Sequence, residues 1–281
     1  MTGESFVVAS SRGQLAGVMS GVGESLLLLH GGPGLNDYLE SLEAELAPSF
    51  RTIRYQQRGL EPSTTEGPFT VEQHVADVVT VMDELGLERV WLVGHSWGGY
   101  LALQVAVSRP ERIGGVVSID PLGVVGDGGV QAMSKALDAR LLPENRARFE
   151  AIKADRNLPD DPLAGFRCIW PGYFAEPASA PPFPADFRSS RKCSQATWES
   201  IRRHFDENTL ANSLPGLPVP VWLVLGKQSP IPVDGGREAA ALIPNAHVVE
   251  LGRCGHFPWL ELPGSVLDVV GRAVAAGAQP A

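Results

Sequence analysis

The chain has 281 residues, of which 44% are apolar, 20% charged and 7% aromatic, the composition of an ordinary globular protein; disorder, collagen and coiled coil are excluded. Lys plus Arg number 23 against 32 Asp plus Glu, and the net charge of −9 provides no basic field for nucleic acid or anionic lipid, so neither is an expected partner. No apolar run approaches bilayer length, the segment MTGESFVVASSRG has neither the basic start nor the apolar stretch of a signal peptide, and a cytoplasmic location is expected. Cys168, Cys193 and Cys254 are odd in number and lack short metal-type spacing, so reduced thiols are expected, with no disulfide framework and no metal site.

The opening predicts a hairpin, Phe6 to Ala9 and Leu15 to Met19, joined by the turn residues Ser11-Arg12-Gly13. Four short apolar runs follow at wide spacing: Leu26 to Leu29, Thr52 to Tyr55, Val90 to Val93 and Val116 to Ile119. Each is too short for a helix and reads as a buried strand. Between them the clearest helix is Val71 to Leu85, with Thr70 and Gln73 as a capping box and Gly86 as its stop. Strands alternating with helices over connections this long favour parallel pairing with right-handed crossovers, which gives a doubly wound, mostly parallel α/β sheet.

The rhythm breaks between residues 122 and 216. No strand-like run occurs there, and helical stretches, Gln131 to Leu142 and Glu144 to Asp155, alternate with Pro-rich ones. This reads as an insertion, residues 122–216, into a core of residues 1–121 and 217–281. Its aromatics, Phe166, Trp170, Tyr173, Phe174, Phe183, Phe187, Trp198 and Phe205, either pack the insertion onto the core or line a pocket. The α/β rhythm resumes with a strand at Val219 to Leu225, a helix at Arg237 to Leu242, a strand at His247 to Leu251 and a helix from Gly264 to Ala276.

Strand Val90 to Val93 runs into Gly94-His95-Ser96-Trp97-Gly98 and then into a helical segment. A serine in such a strand-to-helix turn has strained dihedrals, tolerated when its neighbours two away are glycines, and its Oγ stands at a helix N-terminus. Ser96 is therefore the candidate nucleophile. His30-Gly31-Gly32-Pro33-Gly34, directly after another strand, leaves backbone N–H groups uncovered, and Gly32 with Trp97 forms a candidate oxyanion hole. Of the six histidines, His256 lies in the loop after the last strand and is the candidate base. His30 reads as turn-stabilising, His95 as part of the elbow, His74 as helical, His204 as part of the insertion and His247 as the start of a strand.

The order HGGPG, GHSWGG, CGHFPWLE resembles the α/β-hydrolase superfamily, closest to its prolyl-iminopeptidase-like branch. The resemblance implies the α/β-hydrolase fold and makes the insertion a helical cap that sets substrate choice. Residues Tyr55 to Ser63 are similar to the family's D-Q-R-G-x-G-x-S loop, with Gln56 in place of the Asp and Glu61 in place of a Gly. The acid is the main departure: the family's Asp after the penultimate strand corresponds to Ser229 here. Asp120, ending the strand at Ile119, and Asp234, which reads as a helix N-cap, are the alternatives, along with no functional acid at all.

The expected function is a serine hydrolase, needing no metal or organic cofactor, that acts on a small-molecule ester, lactone or N-terminal amide beneath the cap. Iminopeptidase chemistry needs a cap acid to hold the free amine, and Glu144, Glu150, Glu176, Asp186, Glu199 and Glu207 are available. A non-hydrolytic cyclase, an acyltransferase or a ligand-binding pseudoenzyme is the alternative. An acid within reach of His256 discriminates between them.

Overall fold

The computed structural model describes residues 3–154 and 161–277. The hairpin forms as expected, with longer arms: Glu4–Ser10 (β1) pairs antiparallel with Gly13–Ser20 (β2), Val8 opposite Leu15. Ser25–Leu29 (β3), Arg51–Tyr55 (β4), Val90–His95 (β5), Ile113–Ile119 (β6), Val221–Gly226 (β7) and Ala246–Leu251 (β8) complete one sheet in the order β1-β2-β4-β3-β5-β6-β7-β8. From β4 to β8 every pairing is parallel; β2 is antiparallel to both its neighbours.

Alternation along the strands builds two cores. Leu27 and Leu29 of β3 face one, and Leu26 and Leu28 face the other, as the two-residue period of a strand buried on both sides requires. Helices Glu40–Leu46 (α1), Val71–Glu84 (α2) and Trp97–Ser108 (α3) follow β3, β4 and β5 respectively. Leu42 and Leu46 of α1 join the second core, whereas Val78, Val81 and Met82 of α2 and almost all of α3 join the first. At α2 the local signals hold: Thr70 Oγ1 accepts from the Gln73 amide at 3.3 Å, and Gly86 turns the chain out at φ 63°.

Between β6 and β7 lie Val130–Ala139 (α4), Pro143–Ala154 (α5), Ala164–Ile169 (α6), Arg191–Asp206 (α7) and Thr209–Ser213 (α8). The expected end of α5 at Asp155 falls outside the described residues. Among those described, this stretch contributes no strand, only a single bridge between Leu35 and Ser189. Val233–Leu242 (α9), Pro258–Glu261 (α10) and Ser265–Gly277 (α11) complete the chain, and Val266, Val269, Val270 and Ala273 of α11 fill the second core.

One boundary that bears on the site needs correction. Helix α9 begins four residues earlier than the apolar pattern from Arg237 indicated, with Pro232 at its N-cap. Asp234 is therefore not the cap; it lies in the first turn, 74% exposed at the side chain, paired with Arg237 at 2.9 Å.

The sheet order reverses beside β3: the chain returns to β4 on one side and steps outward through β5, β6, β7 and β8 on the other. In a doubly wound sheet the crevice beyond the carboxyl ends of the strands at such a switch is where ligands sit. The loops after β3 and β5 open there.

Candidate active site

Ser96 joins β5 to α3 at φ 56°, ψ −121°, a conformation costly for a residue with a Cβ. It is held by its own backbone: its N–H donates to the Ile119 carbonyl at 2.8 Å, and its carbonyl accepts from Gly99 and Tyr100 at 2.9 and 3.2 Å. The glycines two residues away are sterically required. A Cβ on Gly94 would run into the Gly98 carbonyl, and one on Gly98 into the Leu29 carbonyl. The turn thus fits against β3 and projects Ser96 from the sheet.

His256 and Asp120 meet although they lie on different loops. His256 Nδ1–H donates to Asp120 Oδ2 at 2.5 Å, and both side chains are almost wholly buried. Asp120, at φ 43°, ends β6 and is fixed by its N–H on the Val224 carbonyl at 2.7 Å. Its Oδ1 accepts from the Gly226 amide at 3.1 Å, and its Oδ2 also accepts the Ser229 hydroxyl. The residue in the family's acid position therefore donates to the carboxylate on the neighbouring strand, while among the described residues Asp234 bonds to Arg237 alone. Burial pushes the Asp120 carboxyl up to about 8 and the His256 imidazole down, opposing charge on either; the Ser229 and Gly226 donors work against that push at Asp120. With Nδ1 committed to Asp120, Nε2 of a neutral His256 is the lone-pair nitrogen.

Glu261 of α10 keeps this loop in place. Its carboxylate accepts from the amides of Gly255 at 2.9 Å, Phe257 at 3.4 Å and Ala175 at 2.8 Å, so it brackets His256 and ties it to the insertion. The His256 amide itself donates to the Tyr173 carbonyl at 2.7 Å.

Gly32 takes φ 55°, and neither its N–H nor that of Trp97 is used in a hydrogen bond among the described residues. Gln57, in the loop after β4, links the two segments that carry these amides. Its Nε2 donates to the His30 carbonyl at 2.7 Å, its Oε1 accepts the Trp97 indole N–H at 2.9 Å, and its amide donates to His30 Nε2 at 3.1 Å. Gln56, the departure from the family loop, accepts from the Asp37 amide at 3.0 Å and so steadies the chain beyond Gly34.

A second brace uses His95. Tyr38 accepts from the Gly31 amide at 2.9 Å and donates to His95 Nδ1 at 2.7 Å, and His95 Nε2–H donates to the His256 carbonyl at 2.7 Å. Burial holds the His95 imidazole well below its ordinary value, which suits a neutral ring that donates at one nitrogen and accepts at the other. Sequence reasoning missed both braces. Gln57 stood inside a recognised motif without an assigned task; Tyr38 carried no signal at all, because its partners are a backbone amide and a histidine 57 residues away in the chain.

Ser96, Trp97, Gly32 and His256 share one cavity of about 240 Å³. Its walls are largely apolar, and of the eight aromatics named between residues 122 and 216 it takes Phe166, Tyr173, Phe187 and Trp198. The other four pack: Trp170 and Phe174 against Phe257, Phe183 against Trp170, and Phe205 against Tyr100. None of Glu144, Glu150, Glu176, Asp186, Glu199 and Glu207 lines it. Among the described residues no group of three or more His, Cys, Asp or Glu could hold a metal ion, and no helix is long and apolar enough to cross a membrane.

Comparison with known proteins shows the family and the fold. A model of the alpha/beta hydrolase family matches residues 26–269. A 2-hydroxymuconate semialdehyde hydrolase of Pseudomonas sp. (strain CF600) is 29% identical over 271 residues, covering 91% of this chain and 88% of the relative. Among solved structures, a proline iminopeptidase from Mycobacterium smegmatis superposes with a TM-score of 0.71 at 20% identity, covering 98% of each chain. An enol-lactonase from Burkholderia xenovorans LB400 does so with a TM-score of 0.68 at 21% identity, covering 96% of this chain and 99% of the other. The family match runs from β3 through the elbow to α11, and the chain belongs to the alpha/beta hydrolase family.

Proposed function

We propose that this protein is a serine hydrolase of small, uncharged esters or lactones that works through a covalent acyl-enzyme. Ser96 Oγ attacks the carbonyl carbon while His256 Nε2 takes the hydroxyl proton. The imidazolium so formed is stabilised through Nδ1–H on the Asp120 carboxylate. The Gly32 and Trp97 amides receive the negative oxygen of the tetrahedral intermediate, and His256 returns the proton to the departing alcohol. Water, deprotonated in turn by His256, then releases the acid and regenerates Ser96.

The observation that carries the reading is the bond from His256 Nδ1 to Asp120 Oδ2, 2.5 Å long and buried beside the cavity that Ser96 lines. It supports hydrolysis over the pseudoenzyme and cyclase alternatives. The apolar lining favours an aliphatic or ring-bearing acyl group. The cap, on residues 122–216, is proposed as the element that selects it.

Carbon–carbon bond hydrolysis is the second reading, favoured by the long match to the hydroxymuconate semialdehyde hydrolase. A muconate-type substrate brings a carboxylate, and no Lys or Arg is among the described residues that line the cavity. An N-terminal amide substrate similarly brings an ammonium group, and no Asp or Glu is among the described residues that line the cavity. Turnover of p-nitrophenyl butyrate, a proline p-nitroanilide and a ring-fission dienoate separates the three. Ester turnover far above the other two is expected; preference for the anilide or the dienoate would overturn the ester assignment.

A further inference from the structure

Helix α7 carries two adjacent stripes with different fates. One, Cys193, Thr197, Ser200 and His204, faces the core, and each of its polar groups has a partner there. Cys193 Sγ donates to the Arg58 carbonyl at 3.4 Å, and Thr197 Oγ1 meets His74 Nε2 at 3.3 Å. Ser200 Oγ accepts from the Val71 amide at 3.1 Å, and His204 Nε2–H donates to Glu72 at 2.8 Å. The helix start is tied to the glycine-rich loop after β3, where the Ser190 amide donates to the Gly34 carbonyl at 2.7 Å. A helix held this way keeps its neighbouring stripe at a fixed position relative to the Gly32 amide.

That neighbouring stripe is Ser194 and Trp198, four residues apart and so on one face. Both line the cavity that Ser96 lines, as does Ser189 just before the helix. Among the described residues neither serine hydroxyl nor the Trp198 indole N–H has a side-chain hydrogen-bond partner, in contrast to the satisfied stripe beside it. The indole can only donate and the hydroxyls can do so, and what the three hold in common is the capacity to donate to an acceptor. The described lining contains no Asp, Glu, Lys or Arg, so nothing there favours an ionised one.

We infer that Ser189, Ser194 and Trp198 form a specificity subsite for an uncharged oxygen acceptor, an ether, carbonyl or lactone ring oxygen, carried by the substrate beyond its scissile carbonyl. The inference rests on the ester-hydrolase reading and narrows it: the substrate is an apolar ester or lactone with a second oxygen, not a simple alkyl ester. A substrate lacking that oxygen leaves the donors without a partner once water is displaced, so the subsite rejects it.

The test walks an ether oxygen along the acyl chain of p-nitrophenyl esters and measures kcat/KM for each against the all-carbon ester of equal length. One position is expected to be preferred by the wild type. Ser194→Ala and Trp198→Phe are each expected to lower that oxygen-to-carbon ratio by about threefold to tenfold, the range for one neutral hydrogen bond. Labelling of each variant by a fluorophosphonate verifies that Ser96 remains intact and reactive. Ratios unchanged in labelled variants, or preference for a carboxylate- or ammonium-bearing ester, would overturn the subsite while leaving the hydrolase reading in place. Failure of the wild type both to label and to turn over any ester would overturn the hydrolase reading itself, and the subsite with it.

Discussion

Asp120→Asn tests how the acid works. The carboxylate takes three donors, His256 Nδ1–H and the Ser229 hydroxyl on Oδ2 and the Gly226 amide at 3.1 Å on Oδ1. An asparagine has one oxygen to offer them. If that oxygen stays with Gly226, the NH₂ group faces His256 and makes Nδ1 the acceptor, which moves the ring proton to Nε2 and removes the base from Ser96. If the oxygen turns to His256, the NH₂ group faces the Gly226 amide, donor against donor, a buried mismatch costing about 1–3 kcal/mol. Neither arrangement leaves a full negative charge to stabilise imidazolium. The expected loss is about 10³- to 10⁴-fold in kcat, or about 4–5.5 kcal/mol of transition-state stabilisation. Initial rates on p-nitrophenyl butyrate measure it, with Asp234→Asn as the comparison. Asp234 is 74% exposed and, among the described residues, bonded to Arg237 alone, so its variant should stay within about twofold of the wild type. An Asp120→Asn enzyme within tenfold of the wild type, or equal losses in both variants, would refute the reasoning.

Ser229→Ala removes a donor that holds the Asp120 carboxyl down against the push of burial, so the acidic limb of kcat/KM should move to higher pH, by about one unit or more. Ser229→Thr should restore its position, and a limb that stays put in the alanine variant would make the contact merely structural. Gln57→Ala cuts both side-chain ties between the Gly32 and Trp97 segments while leaving both amides in the chain, and should lower kcat by about tenfold to a hundredfold with little change in KM; a rise in KM alone would count against an oxyanion role. His74 is buried, and burial first, then the charges of Arg58 and His30, lower its pKa to about 3 from an ordinary 6.5. The unfolded chain then binds a proton below pH 6.5 that the folded one does not, so stability falls as pH drops below 6.5, by up to about 1.4 kcal/mol per pH unit from this residue. Urea midpoints between pH 7 and pH 5 should accordingly fall less steeply in His74→Gln than in the wild type; parallel curves would contradict this.

The strands and the elbow were legible because their signals are local. The leucines of β3 and the glycines around Ser96 answer to contacts that any chain of this pattern must make. Asp120 was legible as a candidate because it directly ends a strand beside the elbow strand, but only the fold brings it to His256. The role of Ser229 was hidden for the same reason: a missing carboxylate is visible in sequence, whereas a hydroxyl donating to a carboxylate from the next strand is a tertiary fact. The start of α9 was misplaced because Val233 to Gly236 carries two glycines, which weaken the helical pattern although Pro232 and Asp234 suit a first turn. Tyr38 and Gln57 were beyond reach, since each acts by joining loops far apart in the chain.

The central claim is that Ser96 is a nucleophile activated by His256. The most direct measurement is the rate of covalent labelling by a fluorophosphonate, compared across wild type, Ser96→Ala and His256→Ala, with the modified residue located by mass spectrometry. The account predicts rapid labelling of Ser96, none in Ser96→Ala and a rate lower by orders of magnitude in His256→Ala. A folded wild type that does not label, or labels equally fast without His256, would contradict it.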